Sequence, residues 1–200
     1  ASDVYKRQIQ GCPLCQKLVT KLRPPPVARG SLMTTRPMDE VSIDVIGPLP
    51  PDANNNKFII VVVDNFSKFL FAEPRPDTTA ESAASFLHKL GGMVGWPRAL
   101  RYDNCSQFDN HLIRCLTDLV NVERHPSVPF NPESNGMIER AIKEIVRHLQ
   151  YIVNDRRIKE CWPDALPIVL RMLNATKHGS IGLSPAEILL PGLDLNAGLY

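Results

Sequence analysis

The sequence lacks a long apolar stretch. Its longest apolar run, Phe58 to Val63, is far below the roughly 18 residues that suggest a membrane-spanning helix, so none is predicted. No apolar secretion segment opens the chain, and no internal repeat is visible, which argues against a solenoid or propeller array. Neither charge sign is in excess: 23 Lys and Arg against 21 Asp and Glu leave +2. Overall charge therefore implies no nucleic-acid partner, and any basic footprint has to be local. Cysteine is sparse and odd in number, at five. Reduced intracellular thiols are the simpler reading than a disulfide framework.

What is present is a globular composition, 44% hydrophobic and 22% charged. Two hundred residues allow one ordinary domain plus a short appendage. Eighteen of them are proline, against a usual share of about 5%, so stiff turns should punctuate the chain.

Residues 1–8 are unlike the rest. "SDVYKRQ" resembles a translated sequencing adaptor and is set aside, with the expectation that the chain is a fragment without its natural N-terminus. Residues 9–22 carry Cys12-Pro-Leu-Cys15, the spacing of half a zinc site. The stretch 23–38, basic and containing Pro24-Pro25-Pro26, reads as an extended linker. The main domain is expected over 39–192, with a tail at 193–200.

Val41 to Ile46 is apolar and β-branched, holds Asp44, and ends at the turn signal Gly47-Pro48. Phe58 to Val63 reads as a buried strand, and Phe69 to Ala72, closed by Pro74, as a third. Their tight links suggest an antiparallel meander. Thr78 with Glu81 matches a capping box for a helix carrying Ala83, Ala84, Leu87 and Leu90, with Gly91-Gly92 as its stop. Ala99 to Tyr102 is a short strand leading to Asp103. Leu112, Ile113, Leu116 and Leu119 mark a second helix, and Val122 to His125 a fifth strand. Pro126 to Ser134, with three prolines, should not be regular helix. Asn135 and Gly136 would cap the long amphipathic helix that follows, built on Ile138, Ala141, Ile142, Ile145, Leu149 and Ile152. A helix over about 164–175 and a proline-started one at Ser184-Pro185-Ala186-Glu187 complete an α/β domain with a mixed sheet.

Three acids stand where burial would be costly: Asp44 and Asp103 at apolar strands, and Glu139 at the start of the long helix, beside the core-like Ile138. Converging at one end of a sheet, they would offer the ligand set that hard divalent cations prefer. Each alone has a plainer reading: a strand end, a turn, a favourable charge at a helix N-terminus. Asp64 also ends an apolar strand, and these criteria do not separate it from the other three.

Four ordered segments narrow this. "SIDVIGPLP" (Ser42 to Pro50), "VVVDNFSKF" (Val61 to Phe69), "YDNCSQF" (Tyr102 to Phe108) and "PFNPESNGMIERAIKEI" (Pro129 to Ile145) resemble motifs of gypsy-type retrotransposon and retroviral integrases. The 35 residues between Asp103 and Glu139, and the tail segments "WP" (162–163) and "HGSIGLSPAEIL" (His178 to Leu189), are similar too. The resemblance covers about residues 9–190. It implies a ribonuclease H-like fold: a five-stranded mixed sheet flanked by helices, preceded by a partial zinc-binding segment. It implies Asp44, Asp103 and Glu139 as catalytic ligands of two Mg²⁺ or Mn²⁺ ions roughly 3.5–4 Å apart, and leaves Asp64 out. The activity implied is DNA integration: trimming of element ends, then strand transfer into target DNA. Homo-oligomers, no membrane, and an intracellular place in the nucleus or a retroelement particle go with it.

The same resemblance makes Cys12 and Cys15 zinc ligands of a His-His-Cys-Cys domain in the full-length protein, with both histidines missing upstream. On the long helix, Glu139, Lys143 and Arg147 share a face at i, i+4, i+8, flanked by Arg140. Lys143, Arg140, Arg147 and Asn135 are the candidate DNA contacts. Cys115 and Cys161 read as core residues, Trp96 and Trp162 as packing, and His148 as a surface histidine. One position departs from the pattern: Cys105 stands where integrases carry glycine, which serves tight or left-handed backbone. A decayed nucleic-acid-binding relic is therefore one competing reading. A related transposase or ribonuclease H-like nuclease is another, and a protein-interaction domain using the long helix is a third.

Overall fold

The structure, a computed structural model, describes residues 34–103, 108–127, 132–156, 162–179, 181–193 and 195, without the side chains of 132–135 and 154–156. The chain divides between Met33 and Thr34, and all that is described belongs to the second unit. Cys12, Cys15, Cys105 and Cys161 lie outside the described residues.

The elements run β1 (Glu40–Ile46), β2 (Phe58–Asp64), β3 (Leu70–Arg75), α1 (Ala80–Val94), β4 (Ala99–Tyr102), α2 (His111–Leu119), β5 (Glu123–Pro126), α3 (Pro132–Arg156), α4 (Trp162–Ala175) and α5 (Pro185–Leu189). The sheet order is β3-β2-β1-β4-β5. β1, β2 and β3 form the antiparallel meander. β4 and β5 add in parallel to β1's other side. Parallel neighbours need crossovers, and α1 and α2 supply them.

Helices cover both faces, so central strands are apolar on both. Ile59 to Val63 of β2 are each at most 1% exposed, and burying one such side chain contributes about 1.5–3 kcal/mol. On one face Val41, Ile43, Ile60 and Val62 pack with Phe86, Leu87 and Leu90 of α1 and Ile113 of α2. On the other Ile46, Ile59, Val61 and Val63 pack with Ile138, Ile145 and Leu149 of α3 and Trp162, Leu166 and Val169 of α4. The Trp162 indole also donates to the Pro50 carbonyl at 2.8 Å.

Several boundaries differ from the sequence reading, each for a local reason. β3 continues through Pro74 to Arg75, because an edge strand has unpaired N–H positions to spare for proline. The cap of α1 is Thr79, whose side chain accepts from Ser82 N, rather than Thr78. Gly91-Gly92 does not stop α1. Gly91 lies under the Trp96 indole, where a Cβ would come within 2.5 Å of the ring, and the helix ends at Gly95 with φ 89°. α3 begins at Pro132, inside the proline-rich stretch; proline in the first turn loses no helical bond. Asn135 and Gly136 are therefore helical and do not cap α3. β5 starts one residue later than read, at Glu123. α2 turns Ile113 and Thr117 to the core and leaves Leu119 80% exposed. Cys115, two positions from Ile113, is thereby exposed, not a core residue. The capping box at Ser184 and Glu187 forms as read.

Candidate active site

Strand alternation decides which way Asp44 points. Val41, Ile43 and Val45 pack toward α1 and α2, whereas Ile46 packs toward α3 and α4. Asp44 shares the parity of Ile46 and so faces α3. β4 pairs with β1 as Ile43↔Tyr102, and the next step of the ladder brings Asp103 level with Asp44 just beyond the strand end. Glu139 follows the buried Ile138 on α3 and is exposed above the same face.

Asp44 senses the other two acids. Burial pushes the Asp44 carboxyl up, and the negative charges of Asp103 and Glu139 push it further, against a 2.7 Å bond from its neighbour's Val45 N–H. Among the described residues, no group of three His, Cys, Asp or Glu side chains is close enough to grip an ion as it stands. The donor set nevertheless fits a hard divalent cation: oxygen ligands only, partly desolvated, with like-charge repulsion that a cation would relieve.

Asp64 is a different kind of acid. It is fully buried, and Val41↔Asp64 pairing puts it near the opposite end of β1 from Asp44. Oδ1 accepts from Met38 N and Phe66 N, and Oδ2 from Ser67 N and Oγ. Both oxygens are used in holding the β2–β3 turn, a reason for its burial that the sequence did not display.

Lys143, Arg147 and Arg140 are exposed on α3. Arg147 is ion-paired to Glu144, and Arg140 Nε donates to the Gly136 carbonyl at 2.8 Å. The Asn135 side chain lies outside the described residues. His148 is partly covered rather than a free surface group, and its Nδ1 lies 2.9 Å from the Glu144 carbonyl. Two basic or acidic groups escaped the sequence reading. Lys68 of the β2–β3 turn reaches the Asn65 carbonyl and, at 3.3 Å, Met137 Sδ in the first turns of α3. Glu40, four residues before Asp44 on the same strand face, is buried; that even spacing was the available signal.

No protein-family model matches the chain. Among curated proteins it is 30% identical over 197 residues to the Pro-Pol polyprotein of simian foamy virus type 3 (strain LK3), covering 97% of this chain and 16% of that polyprotein. The Tf2-3 transposon polyprotein of Schizosaccharomyces pombe is 25% identical over 190 residues, covering 90% of this chain and 14% of the polyprotein. The chain thus spans under a fifth of these relatives. Among solved structures, the bovine immunodeficiency virus (BIV) integrase catalytic core matches with a TM-score of 0.62 and 27% identity over 76% of this chain and 94% of that one. The HTLV-2 integrase catalytic core in complex with magnesium matches with a TM-score of 0.65 and 17% identity, over 77% and 97%. A simian T-cell lymphotropic virus intasome gives 0.73 and 18% over 95% and 67%. The protein is a homologue of the foamy-virus Pro-Pol and Tf2 transposon polyproteins, and its described domain has the ribonuclease H-like fold of retroviral integrase catalytic cores.

Proposed function

We propose that this chain carries the catalytic core of an integrase, a divalent-metal-dependent polynucleotidyl transferase that trims retroelement DNA ends and joins them to target DNA. What supports this reading is Asp44 on the sheet face toward α3, one ladder step beyond Ile43↔Tyr102 and so level with Asp103, with its carboxyl pushed up by burial and by the charges of Asp103 and Glu139. Asp44, Asp103 and Glu139 would hold two Mg²⁺ or Mn²⁺ ions through their carboxylates. When bound, the ions supply charge neutralisation at the scissile phosphate and a lowered pKa for the attacking hydroxyl.

Both reactions are phosphoryl transfers. In end trimming a water oxygen bonds to phosphorus as the bond to the leaving 3′ oxygen breaks. In strand transfer the freed 3′-hydroxyl is the attacker and a target-strand 3′ oxygen leaves. Neither needs a protein nucleophile, so the chain's part is to position DNA and balance charge. Lys143, Arg140 and Arg147, exposed beside Glu139, would bind phosphates, with Asn135 near them at the start of α3. Cys12 and Cys15 would bind Zn²⁺ with two upstream histidines, and the working form would be a homo-oligomer on DNA ends, in the nucleus or a retroelement particle.

Disintegration of a branched DNA substrate with Mn²⁺ or Mg²⁺ tests the reading. Product from the native chain that vanishes in Asp103→Asn supports it. Folded, DNA-binding protein that makes no product in either form favours the relic, with Cys105 as its mark.

A further inference from the structure

A buried polar network lies below the three carboxylates on the same sheet face. Glu40 of β1 is only 4% exposed, and its carboxylate accepts from three elements. Arg101 Nη2 of β4 donates at 2.9 Å, His125 Nδ1 of β5 at 2.7 Å, and Asn65 Nδ2 of the β2–β3 turn at 2.9 Å. Asn65 also donates its backbone N–H to the Glu40 carbonyl, and its Oδ1 accepts from Ser42 Oγ at 2.9 Å. Burial would push the Glu40 carboxyl up, but the bonds from Arg101, His125 and Asn65 and the Arg101 charge outweigh it and hold it below the usual range.

The ladder places this network relative to the site. Ser42, Arg101 and His125 form one row across β1, β4 and β5. Asp44 and Asp103 stand two residues further along the same strands, roughly 7 Å away. β4 pairs with β1 over four residues only, and the ladder ends at Ile43↔Tyr102, immediately before Asp103. A slip of one residue would turn every β4 side chain to the other face and take Asp103 away from Asp44. Buried charge pairs add little net stability over apolar residues of similar volume, and their best-attested use is to specify register. Arg101 Nε is buried and finds no acceptor among the described residues, which adds a desolvation cost to the pair.

We propose that Glu40 is a positioning residue: through Arg101 and His125 it fixes the register of β4 and β5 against β1, aligns Asp103 with Asp44, and so sets the site's affinity for a divalent cation. This rests on the metal-dependent reading above. No group of the network contacts DNA or the reacting atoms in it.

The test is Mn²⁺ binding to the whole 200-residue chain, read as loss of the free-ion EPR signal, with near-UV circular dichroism and Tm recorded for each variant. Glu40→Gln alone strands the Arg101 charge, so the deciding variant is the neutral pair Glu40→Gln/Arg101→Met, which removes the tie without leaving an unpaired charge. His125→Ala, at a half-exposed position, is the milder companion. Leu87→Ala, in the core on the opposite face, controls for lost stability. The expected result is wild-type binding that Asp44→Asn abolishes, and Mn²⁺ affinity about tenfold or more lower in the neutral pair, the lower end of the effect of losing groups that orient ligands. His125→Ala should lower it several-fold, and Leu87→Ala should lose Tm but keep affinity. Folded neutral-pair and His125→Ala proteins with wild-type affinity would overturn the positioning role while leaving the metal reading intact. Folded wild type with no Mn²⁺ affinity would overturn the metal reading and this proposal with it.

Discussion

Asn174 of α4 acts as a surrogate strand for Leu70, 104 residues earlier: its Oδ1 accepts from Leu70 N at 2.8 Å and its Nδ2 donates to Leu70 O at 2.9 Å. β3 is an edge strand, and this buried amide satisfies both backbone groups where no neighbouring strand does. Asn174→Ala strands one donor and one acceptor. It should cost about 2–6 kcal/mol, since each of the two buried unpaired groups costs about 1–3. Urea unfolding measures this, and a loss under about 1 kcal/mol would refute the pairing's importance.

Removing the Asp44 charge should stabilise the metal-free protein. Its carboxyl is raised by burial and by Asp103 and Glu139, so the native state binds this proton more tightly than the unfolded chain does. Metal-free stability therefore falls as pH rises from the ordinary aspartate value through the raised one. Asp44→Asn should gain about 1 kcal/mol at pH 7, or roughly 2–4 °C in Tm, as substitutions at repulsive functional sites do. The gain should vanish below about pH 4, where Asp44 is protonated in both states. Calorimetry in EDTA from about pH 3 to about pH 8 checks it, and a wild type more stable than the variant at pH 7 contradicts it.

Glu40 has the opposite sign. Its carboxyl is held below the usual range, so its stabilisation is present above the unfolded-state value and is lost as pH falls through the native one. Glu40→Ala leaves Arg101 buried with no counter-charge and should cost about 3–5 kcal/mol at pH 7. Thermal unfolding of both proteins would show the gap narrowing in acid. A gap that grows toward low pH would count against the ion pair.

Lys143→Ala should weaken binding of any duplex sequence and lower the slope of log K against log salt by about 0.9, the release expected for one phosphate contact. Arg147→Ala should change it less, because its guanidinium is engaged by Glu144. Fluorescence anisotropy over a salt series separates the two, and an unchanged slope in Lys143→Ala removes that residue from the DNA face.

Cys115 should react with a maleimide in the native protein, since its thiol is exposed beside His111, 3.5 Å from Nε2. Peptide mapping after brief labelling identifies it. Protection of Cys115 in folded protein would restore the core assignment.

What the sequence by itself determined is local. The unbroken apolar run of β2, the 3.6-residue repeat of α3 and the Ser184 capping box need only near neighbours to express them, and all three form, although α3 starts earlier than read, at Pro132. The order and spacing of the motifs around Asp44, Asp103 and Glu139 were also legible, because they are linear patterns. Only the tertiary structure decided what those acids face. Asp44 and Asp64 are indistinguishable as strand acids in sequence. The register sets one toward α3 and the other into a turn that uses both its oxygens. The sequence gives no sign of what meets Glu40: β4 and β5 bring Arg101 and His125 to it, 61 and 85 residues away in the chain. Burial of a charge is settled by which distant donors the sheet register delivers, and that register is a property of all five strands together.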